Sequence, residues 1–123
     1  MGHELYEQHD EARACFEAAN DLLDFDLLSL MFGLGAEADT ATEKLKQTEI
    51  TQPALYTHSL AAMAVLDAGG PEPDMVAGHS LGEYSALAAA GALSFEDGLR
   101  VVRRRGELMG WLLYTADAAG RPL

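Results

Sequence analysis

The sequence predicts an α/β fold that is rich in helices and contains few parallel strands. Apolar residues recur at helical spacing over most of the 123 residues. The short apolar run at 74–78 has instead the length and composition of a buried parallel strand. Glycine and proline residues at 69–73 end the preceding helix before that run begins.

Periodicity and capping residues predict six helical segments in the rest of the chain. Thr51 and Pro53 mark the start of the fourth, because threonine caps helices and proline is tolerated in the first turn. Ser94, with Asp97 three positions later, marks the start of the last. In chain order, the predicted segments cover residues 3–23, 27–32, 43–46, 54–68, 80–90 and 95–109.

The predicted strand requires hydrogen-bonding neighbours, which no other segment of the sequence clearly supplies. Two interpretations remain open. Either the neighbouring strands lie outside these residues, or the protein is helical and 74–78 is not a strand. We favour the first, in which the chain is part of a larger domain.

Composition excludes several classes of protein. The net charge of −12 argues against a general nucleic-acid binder. No apolar run approaches the ~18–20 residues of a membrane helix, and the polar start Met-Gly-His-Glu is not a signal peptide. The single Cys15 cannot form an internal disulfide, which fits a reducing compartment. We therefore expect a cytoplasmic protein with neither a membrane nor a nucleic acid as partner.

The segment Gly78-His79-Ser80-Leu81-Gly82 fits the G-x-S-x-G pattern of a nucleophile elbow, between a predicted strand and a predicted helix. In such a tight turn the serine oxygen projects outward, and flanking glycines remove β-carbons that would collide. The N–H of Leu81, at the helix start, is placed to stabilise an oxyanion. The same residues also fit an ordinary turn that begins a helix, and the strand-to-helix context favours a catalytic Ser80.

Four of the eight basic residues lie in the last predicted helix, in two different positions around its axis. Arg105 lies on an apolar stripe that is predicted to face inward and consists of Val101, Val102, Leu108, Met109 and Leu112. An inward guanidinium needs an anion, and the pattern leaves open a buried carboxylate or a substrate. The other three arginines, predicted to face solvent together with Glu107, are Arg100, Arg103 and Arg104.

The ten residues from Gly78 to Leu87, GHSLGEYSAL, closely resemble the active-site segment of bacterial malonyl-CoA:acyl carrier protein transacylases. The segments TQPAL at 51–55, AGALSFED at 90–97 and RRG at 104–106 continue the resemblance. The resemblance implies a truncated large subdomain of an α/β-hydrolase-like acyltransferase. It further implies a partial acyltransferase domain over 1–109 that carries the nucleophile, followed by a divergent C-terminal tail over 110–123.

The resemblance also implies an activity. A malonyl group would pass from malonyl-CoA to Ser80, and then to the phosphopantetheine thiol of acyl carrier protein, in fatty acid biosynthesis. Neither a cofactor nor a metal is expected. By the same resemblance Arg105 pairs with the malonyl carboxylate and Gln52 faces the acyl pocket, although Gln52 fits a polar residue at a helix start equally well. His79 adjoins Ser80, but neighbouring residues at a tight turn point in different directions, so we expect His79 to pack or to lie beside the substrate rather than to act as the base.

The sequence departs from that family in ways that bear on activity. The family's first strand, its Gly-Gln-Gly-Ser-Gln loop, its catalytic histidine and a later glutamine have no match here, so this chain alone is expected to be nearly inactive. Other readings are a fragment of a polyketide-synthase acyltransferase, a serine esterase that shares only the elbow, and a helical binding module.

Overall fold

In the computed structural model, residues 1–35, 38–118 and 120 are described. Within these residues the chain is helix-rich. The first predicted helix is divided in two at His9, whose backbone is extended (φ −133°, ψ 119°). The helices are α1 (His3–Gln8), α2 (Asp10–Leu22), α3 (Leu27–Phe32), α4 (Ala41–Leu45), α5 (Thr48–Gly69), α6 (Leu81–Ala89) and α7 (Phe95–Ala118).

Helix α5 lies at the centre and packs against α2, α6 and α7. Phe16 of α2, Tyr56 of α5, and Leu99 and Val102 of α7 are fully buried in this core. Burial of one such large apolar side chain contributes roughly 1.5–3 kcal/mol to folding. The Tyr56 hydroxyl donates a hydrogen bond to the carbonyl of Phe95 (2.9 Å), which ties the start of α7 to α5.

Two ionisable groups lie in or beside this core. Burial raises the pKa of the Tyr56 hydroxyl to about 12 and that of the Cys15 thiol to about 12. The Cys15 sulfur lies 3.9 Å from the carbonyl oxygen of Thr57. Both groups are therefore protonated near neutral pH.

Helix α5 begins at Thr48, so its predicted start beyond Pro53 is wrong. Pro53 lies inside the helix, where its missing N–H leaves the carbonyl of Glu49 without the usual partner four residues later. Arg103 of α7 donates its Nη1 to that carbonyl at 3.0 Å. A contact from a distant segment thus compensates for a proline that sequence reasoning places at a helix start.

The buried face of α7 differs from the predicted one. Of the residues predicted to face inward, Val102 is buried as predicted, whereas Val101, Leu108, Met109 and Leu112 are exposed. The residues that are buried are Gly98, Leu99, Val102 and Gly106. Two of these are glycines, which carry no hydrophobic signal in a sequence, and this is why the predicted face is wrong.

Arg103 is also wrongly predicted to face solvent, because its side chain is only 20% exposed. It belongs to the region where α7 approaches α5 most closely. A β-carbon on Gly106 would lie 2.9 Å from the Cα of Glu49 and 3.0 Å from the carbonyl oxygen of Thr48. We call this contact of Gly106 with Thr48 and Glu49 the α5–α7 crossing.

Helix α7 continues beyond its predicted end at Met109 as far as Ala118. The assignment of 110–123 as a divergent tail stays a prediction, and residues 119 and 121–123 lie outside the described residues. Among the helices of the described residues, none has the length and apolar character needed to cross a membrane.

The strand predicted at 74–78 is absent, and the described residues contain no other strand. Residues 71–80 form an exposed, non-helical connection between α5 and α6. A parallel strand is stabilised by ladder hydrogen bonds to its neighbours, and the described residues supply none. The α/β part of the fold prediction is therefore not seen, whereas its helix-rich part is.

Candidate active site

Ser80 lies at the N-cap of α6, as predicted, with φ 56° and ψ −115°. Among the described residues it is the one non-glycine with a positive φ. A non-glycine residue in such a conformation costs of order 1–3 kcal/mol and is typical of functional sites. Two hydrogen bonds between residues three apart hold the turn, from Gly82 N to the His79 carbonyl (2.9 Å) and from Glu83 N to the Ser80 carbonyl (3.1 Å).

The two glycines of the elbow, residues 78–82, do different work. A β-carbon on Gly78 would lie 1.9 Å from the carbonyl oxygen of Gly82, and that backbone atom cannot move aside without moving the turn. A β-carbon on Gly82 would meet nothing within 4 Å among the described residues. The prediction that a β-carbon would collide is therefore confirmed for Gly78 and wrong for Gly82. The turn brings the carbonyl of Gly82 against Gly78, whereas the position of a β-carbon on Gly82 faces open space.

Arg105 reaches from α7 to the nucleophile. Its Nη2 donates to Ser80 Oγ at 2.9 Å, and its Nη1 donates to Gln52 Oε1 at 2.7 Å. The guanidinium carbon lies 5.6 Å from the centre of the Tyr84 ring, which is within cation–π range. Within the described residues, no carboxylate forms an ion pair with Arg105. The cation at the site is held by neutral groups.

Gln52 is 4% exposed, and the orientation of its amide is fixed by its neighbours. The amide nitrogen lies 2.9 Å from Thr48 Oγ1 and 3.2 Å from Met109 Sδ, and donates to both. The amide oxygen is thereby left to accept from Arg105. The structure thus brings Gln52, Arg105 and Ser80 together in one hydrogen-bonded group.

Sequence reasoning missed three residues of this group, and a simple signal identifies them. Each of the three lies four positions from a predicted site residue: Thr48 from Gln52, Met109 from Arg105, and Tyr84 from Ser80 at the cap of α6. Positions four apart share a helical face. Extending each predicted site residue by one turn in both directions would have included all three.

The remaining predicted residues are placed less decisively. His79 is exposed, and its imidazole has no hydrogen-bond or ring partner in the described part of the chain. The N–H of Leu81 begins α6, and no acceptor for it exists among the residues described. No cluster of metal-binding side chains is present in those residues.

An exposed serine in a strained turn, at a helix N-terminus and beside an unneutralised guanidinium, is an arrangement suited to proteins with a nucleophilic serine and an anionic substrate. The family described as Acyl transferase domain matches residues 1–123. The chain belongs to this family.

Named relatives agree with that assignment. The malonyl CoA-acyl carrier protein transacylase of Bacillus subtilis (strain 168) is 50% identical over 119 residues, which are 97% of this chain and 36% of the relative. The crystal structure of MCAT from Streptococcus pneumoniae is 43% identical, with a TM-score of 0.77 over 87% of this chain and 33% of that one. This chain spans about a third of the length of the curated relatives it matches.

A third similar structure includes a second protein. It is a malonyl-transacylase in complex with a type II PKS acyl-carrier protein, 38% identical, with a TM-score of 0.75 over 89% of this chain and 34% of that one.

Proposed function

We propose that this chain supplies the nucleophile and the carboxylate-binding residues for malonyl transfer from malonyl-CoA to acyl carrier protein. The observation that carries the proposal is the pair of hydrogen bonds made by Arg105. Its guanidinium lies on Ser80 Oγ, yet its described partners are a hydroxyl, an amide and an aromatic ring. A partly buried cation without a carboxylate partner favours a substrate that brings one.

The chemistry follows from these positions. Ser80 Oγ attacks the thioester carbonyl of malonyl-CoA, the N–H of Leu81 stabilises the oxyanion, and the CoA thiol leaves. The phosphopantetheine thiol of acyl carrier protein then attacks the malonyl ester and restores the serine. Arg105 holds the free carboxylate of the malonyl group in both steps, and Gln52 holds Arg105. All bond changes occur on substrate thioesters and on Ser80, so the reaction needs neither a metal nor a cofactor.

Deprotonation of Ser80 is the step that these residues support least. Arg105 donates to Ser80 Oγ, and a guanidinium cannot accept the proton. We therefore expect the 123-residue chain to acylate Ser80 slowly when it acts alone, and to transfer malonyl with negligible turnover.

The elbow also supports a finer statement of the fold. A strained serine between an exposed non-helical segment and a helix N-terminus resembles the strand–turn–helix of α/β-hydrolase-like proteins. We infer that residues 1–109 are a truncated large subdomain of such a fold, in which 74–78 pairs with strands that the described residues do not contain. Neither step of the proposed reaction requires a membrane or a nucleic acid.

The solved complex of a similar malonyl-transacylase with a carrier protein supports a carrier protein as the acyl acceptor. Since that carrier protein belongs to a type II polyketide system, a polyketide carrier is the second candidate acceptor. A comparison of the two carriers as acceptors of malonyl from pre-acylated protein will separate the fatty acid and the polyketide roles.

The test of the proposal is a comparison of Arg105→Ala with Arg104→Ala. Arg104 lies next in sequence, but its side chain is 68% exposed and pairs with Glu107 (3.2 Å). We expect Arg105→Ala to slow labelling of Ser80 by malonyl-CoA more than about tenfold, because a charge-assisted contact of this kind contributes roughly 2–5 kcal/mol. Labelling by acetyl-CoA, which lacks the carboxylate, should change much less. Single-turnover labelling, followed by intact-mass spectrometry, measures both rates.

Arg104→Ala serves as the matched control and should leave both rates within about twofold of the unmodified chain. Ser80→Ala should abolish labelling. Equal losses of malonyl and acetyl labelling in Arg105→Ala would show that Arg105 is structural. They would favour the hypothesis of a serine esterase instead.

A further inference from the structure

The carbonyl of Glu49 is a backbone acceptor that α5 itself cannot satisfy. Its partner would be the N–H of residue 53, and that residue is Pro53, inside the helix. A partly buried carbonyl without a partner destabilises the fold. Arg103 donates its Nη1 to this oxygen at 3.0 Å from the neighbouring helix.

The rest of the Arg103 side chain is fixed in place for this contact. Its Nη2 lies 3.2 Å from Asp24 Oδ1, and its Nε lies 3.2 Å from Glu107 Oε1, an ion pair without the alignment of a hydrogen bond. Its guanidinium carbon lies 4.7 Å from the centre of the Phe25 ring. A planar group with several donors is suited to bridging a backbone carbonyl and two carboxylates at once, which an ammonium group is not.

The position of this contact links it to the site. Glu49 precedes Gln52 by three residues on α5, and Arg103 precedes Arg105 by two residues on α7. The Glu49–Arg103 bond and the Gln52–Arg105 bond of 2.7 Å therefore join the same two helices within one turn of each other. A slip of α7 by one residue is about 1.5 Å, enough to break that second bond.

We propose that Arg103 is a positioning residue, which takes the hydrogen bond that Pro53 removes from Glu49 and thereby fixes Arg105 against Gln52 and Ser80. Arg103 touches neither the nucleophile nor the substrate in this arrangement. The inference rests on the proposed function for its effect on substrate choice, but its structural half can be tested separately.

The structural test is a double-mutant cycle in the 123-residue chain with Pro53→Ala and Arg103→Ala. Alanine at position 53 restores an N–H that can bond to the Glu49 carbonyl. We expect Arg103→Ala to raise the unfolding equilibrium constant about tenfold when Pro53 is present, and less than about threefold when residue 53 is alanine. Equal effects in the two backgrounds would overturn the proposal, since the ion pairs with Asp24 and Glu107 would then be what matters. If Arg103→Ala does not fold, Arg103→Lys replaces it in the same cycle.

The functional test is the ratio of malonyl to acetyl labelling of Ser80. We expect Arg103→Ala to lower this ratio about tenfold and Arg103→Lys to retain part of it. In the double variant, Pro53→Ala should leave the ratio low, because the restored N–H bonds within α5 and does not link α5 to α7. A merely structural role would lower both labelling rates equally and leave the ratio unchanged, which would overturn the proposal. Arg104→Ala is the control, with no change of ratio expected. If the unmodified chain shows no preference for malonyl, the proposed function fails, while the unfolding cycle still decides whether Arg103 replaces the bond lost at Pro53.

Discussion

The elbow and the α5–α7 crossing meet where Arg105 bonds to Ser80, yet they are held by different forces. Residues 71–80 are exposed throughout, and the turn is set by backbone sterics and two local hydrogen bonds. The crossing is set by packing between segments about fifty residues apart, with Gly106 against the backbone of Glu49.

The two proposed functions of the site, nucleophilic attack and carboxylate binding, therefore depend on two kinds of structure, a local turn and a contact between distant helices. The nucleophile depends on a conformation that a few adjacent residues impose, so that local changes should alter its reactivity without unfolding the chain. The pair of Gln52 and Arg105, which we propose to bind the substrate carboxylate, depends on the register of two helices. Changes there should therefore alter stability and substrate preference together. The following substitutions test this division.

The largest effect is expected at Gly78. Alanine there would place a carbon 1.9 Å from the Gly82 carbonyl oxygen, so the turn must open and Ser80 must move. A displacement of about 1 Å at a reacting group can cost about a hundredfold in rate. We expect Gly78→Ala to slow malonyl labelling of Ser80 by at least that factor, while the free energy of unfolding changes by less than about 1 kcal/mol because the segment is exposed.

Gly82→Ala is the matched control, since its β-carbon enters open space within α6. It should keep its labelling rate and gain up to about 1 kcal/mol of stability from the better helix propensity of alanine. Similar labelling rates in the two variants would contradict the local origin of the elbow.

A smaller effect is expected at the crossing, where Gly106 and Gly110 lie one turn apart on α7. A β-carbon on Gly106 would lie 2.9 Å from the Cα of Glu49, which is backbone. A β-carbon on Gly110 would lie 2.9 Å from Oε2 of Glu49, the flexible end of that residue's side chain. We expect Gly106→Ala to destabilise the chain by roughly 1–3 kcal/mol through overpacking. Gly110→Ala should be neutral or stabilising by up to about 1 kcal/mol.

Denaturant unfolding of the two variants measures this difference, and malonyl-to-acetyl labelling ratios show whether the register of Arg105 changes with it. Equal stabilities for Gly106→Ala and Gly110→Ala would mean that the helices can separate at the crossing without cost.

The smallest effect is a pH dependence that originates at Tyr56, in the core between α5 and α7. Burial raises the pKa of its hydroxyl from 10.0 to about 12, so folding favours the neutral form. Its contribution is complete below pH 10 and is lost as pH rises toward 12, with about 1.4 kcal/mol lost at pH 11. Because Cys15 titrates in the same range, the measurement compares unfolding of Cys15→Ala with that of Cys15→Ala/Tyr56→Phe between pH 9 and 11. If the free energies of unfolding of the two variants change with pH in parallel, the pH dependence does not originate at Tyr56.

Local features of this fold could be predicted from the sequence. Helix α3 has its predicted limits, α6 begins one residue after its predicted start, and α7 begins at Phe95 with the N–H of Asp97 bonded to Ser94 Oγ (3.1 Å). Each of these depends on residues within one or two turns. The position of Ser80 at a helix N-terminus follows from the same short-range rules.

Features that depend on distant partners could not be predicted in this way. The helical position of Pro53 requires Arg103, which is fifty residues away. The buried face of α7 is centred on Gly98 and Gly106, because closely approaching helices need small residues rather than hydrophobic ones. Arg105 reaches Ser80 as predicted, although of the apolar residues predicted to share its inward face only Val102 is buried. The contact of Arg105 with Ser80 is thus predicted correctly, although most of the residues predicted to surround Arg105 on its face are not buried.

The raised pKa of Cys15 has a practical consequence for spectroscopy. Thiol reagents attack the thiolate, and a shift from 9.0 to about 12 lowers the thiolate fraction at neutral pH about a thousandfold. A cysteine introduced at Met75, where the side chain is 89% exposed, should therefore react with a maleimide fluorophore while Cys15 stays unmodified. A dye can thus be attached beside the elbow without removing the native cysteine, and its emission can report how the segment before Ser80 responds to malonyl-CoA.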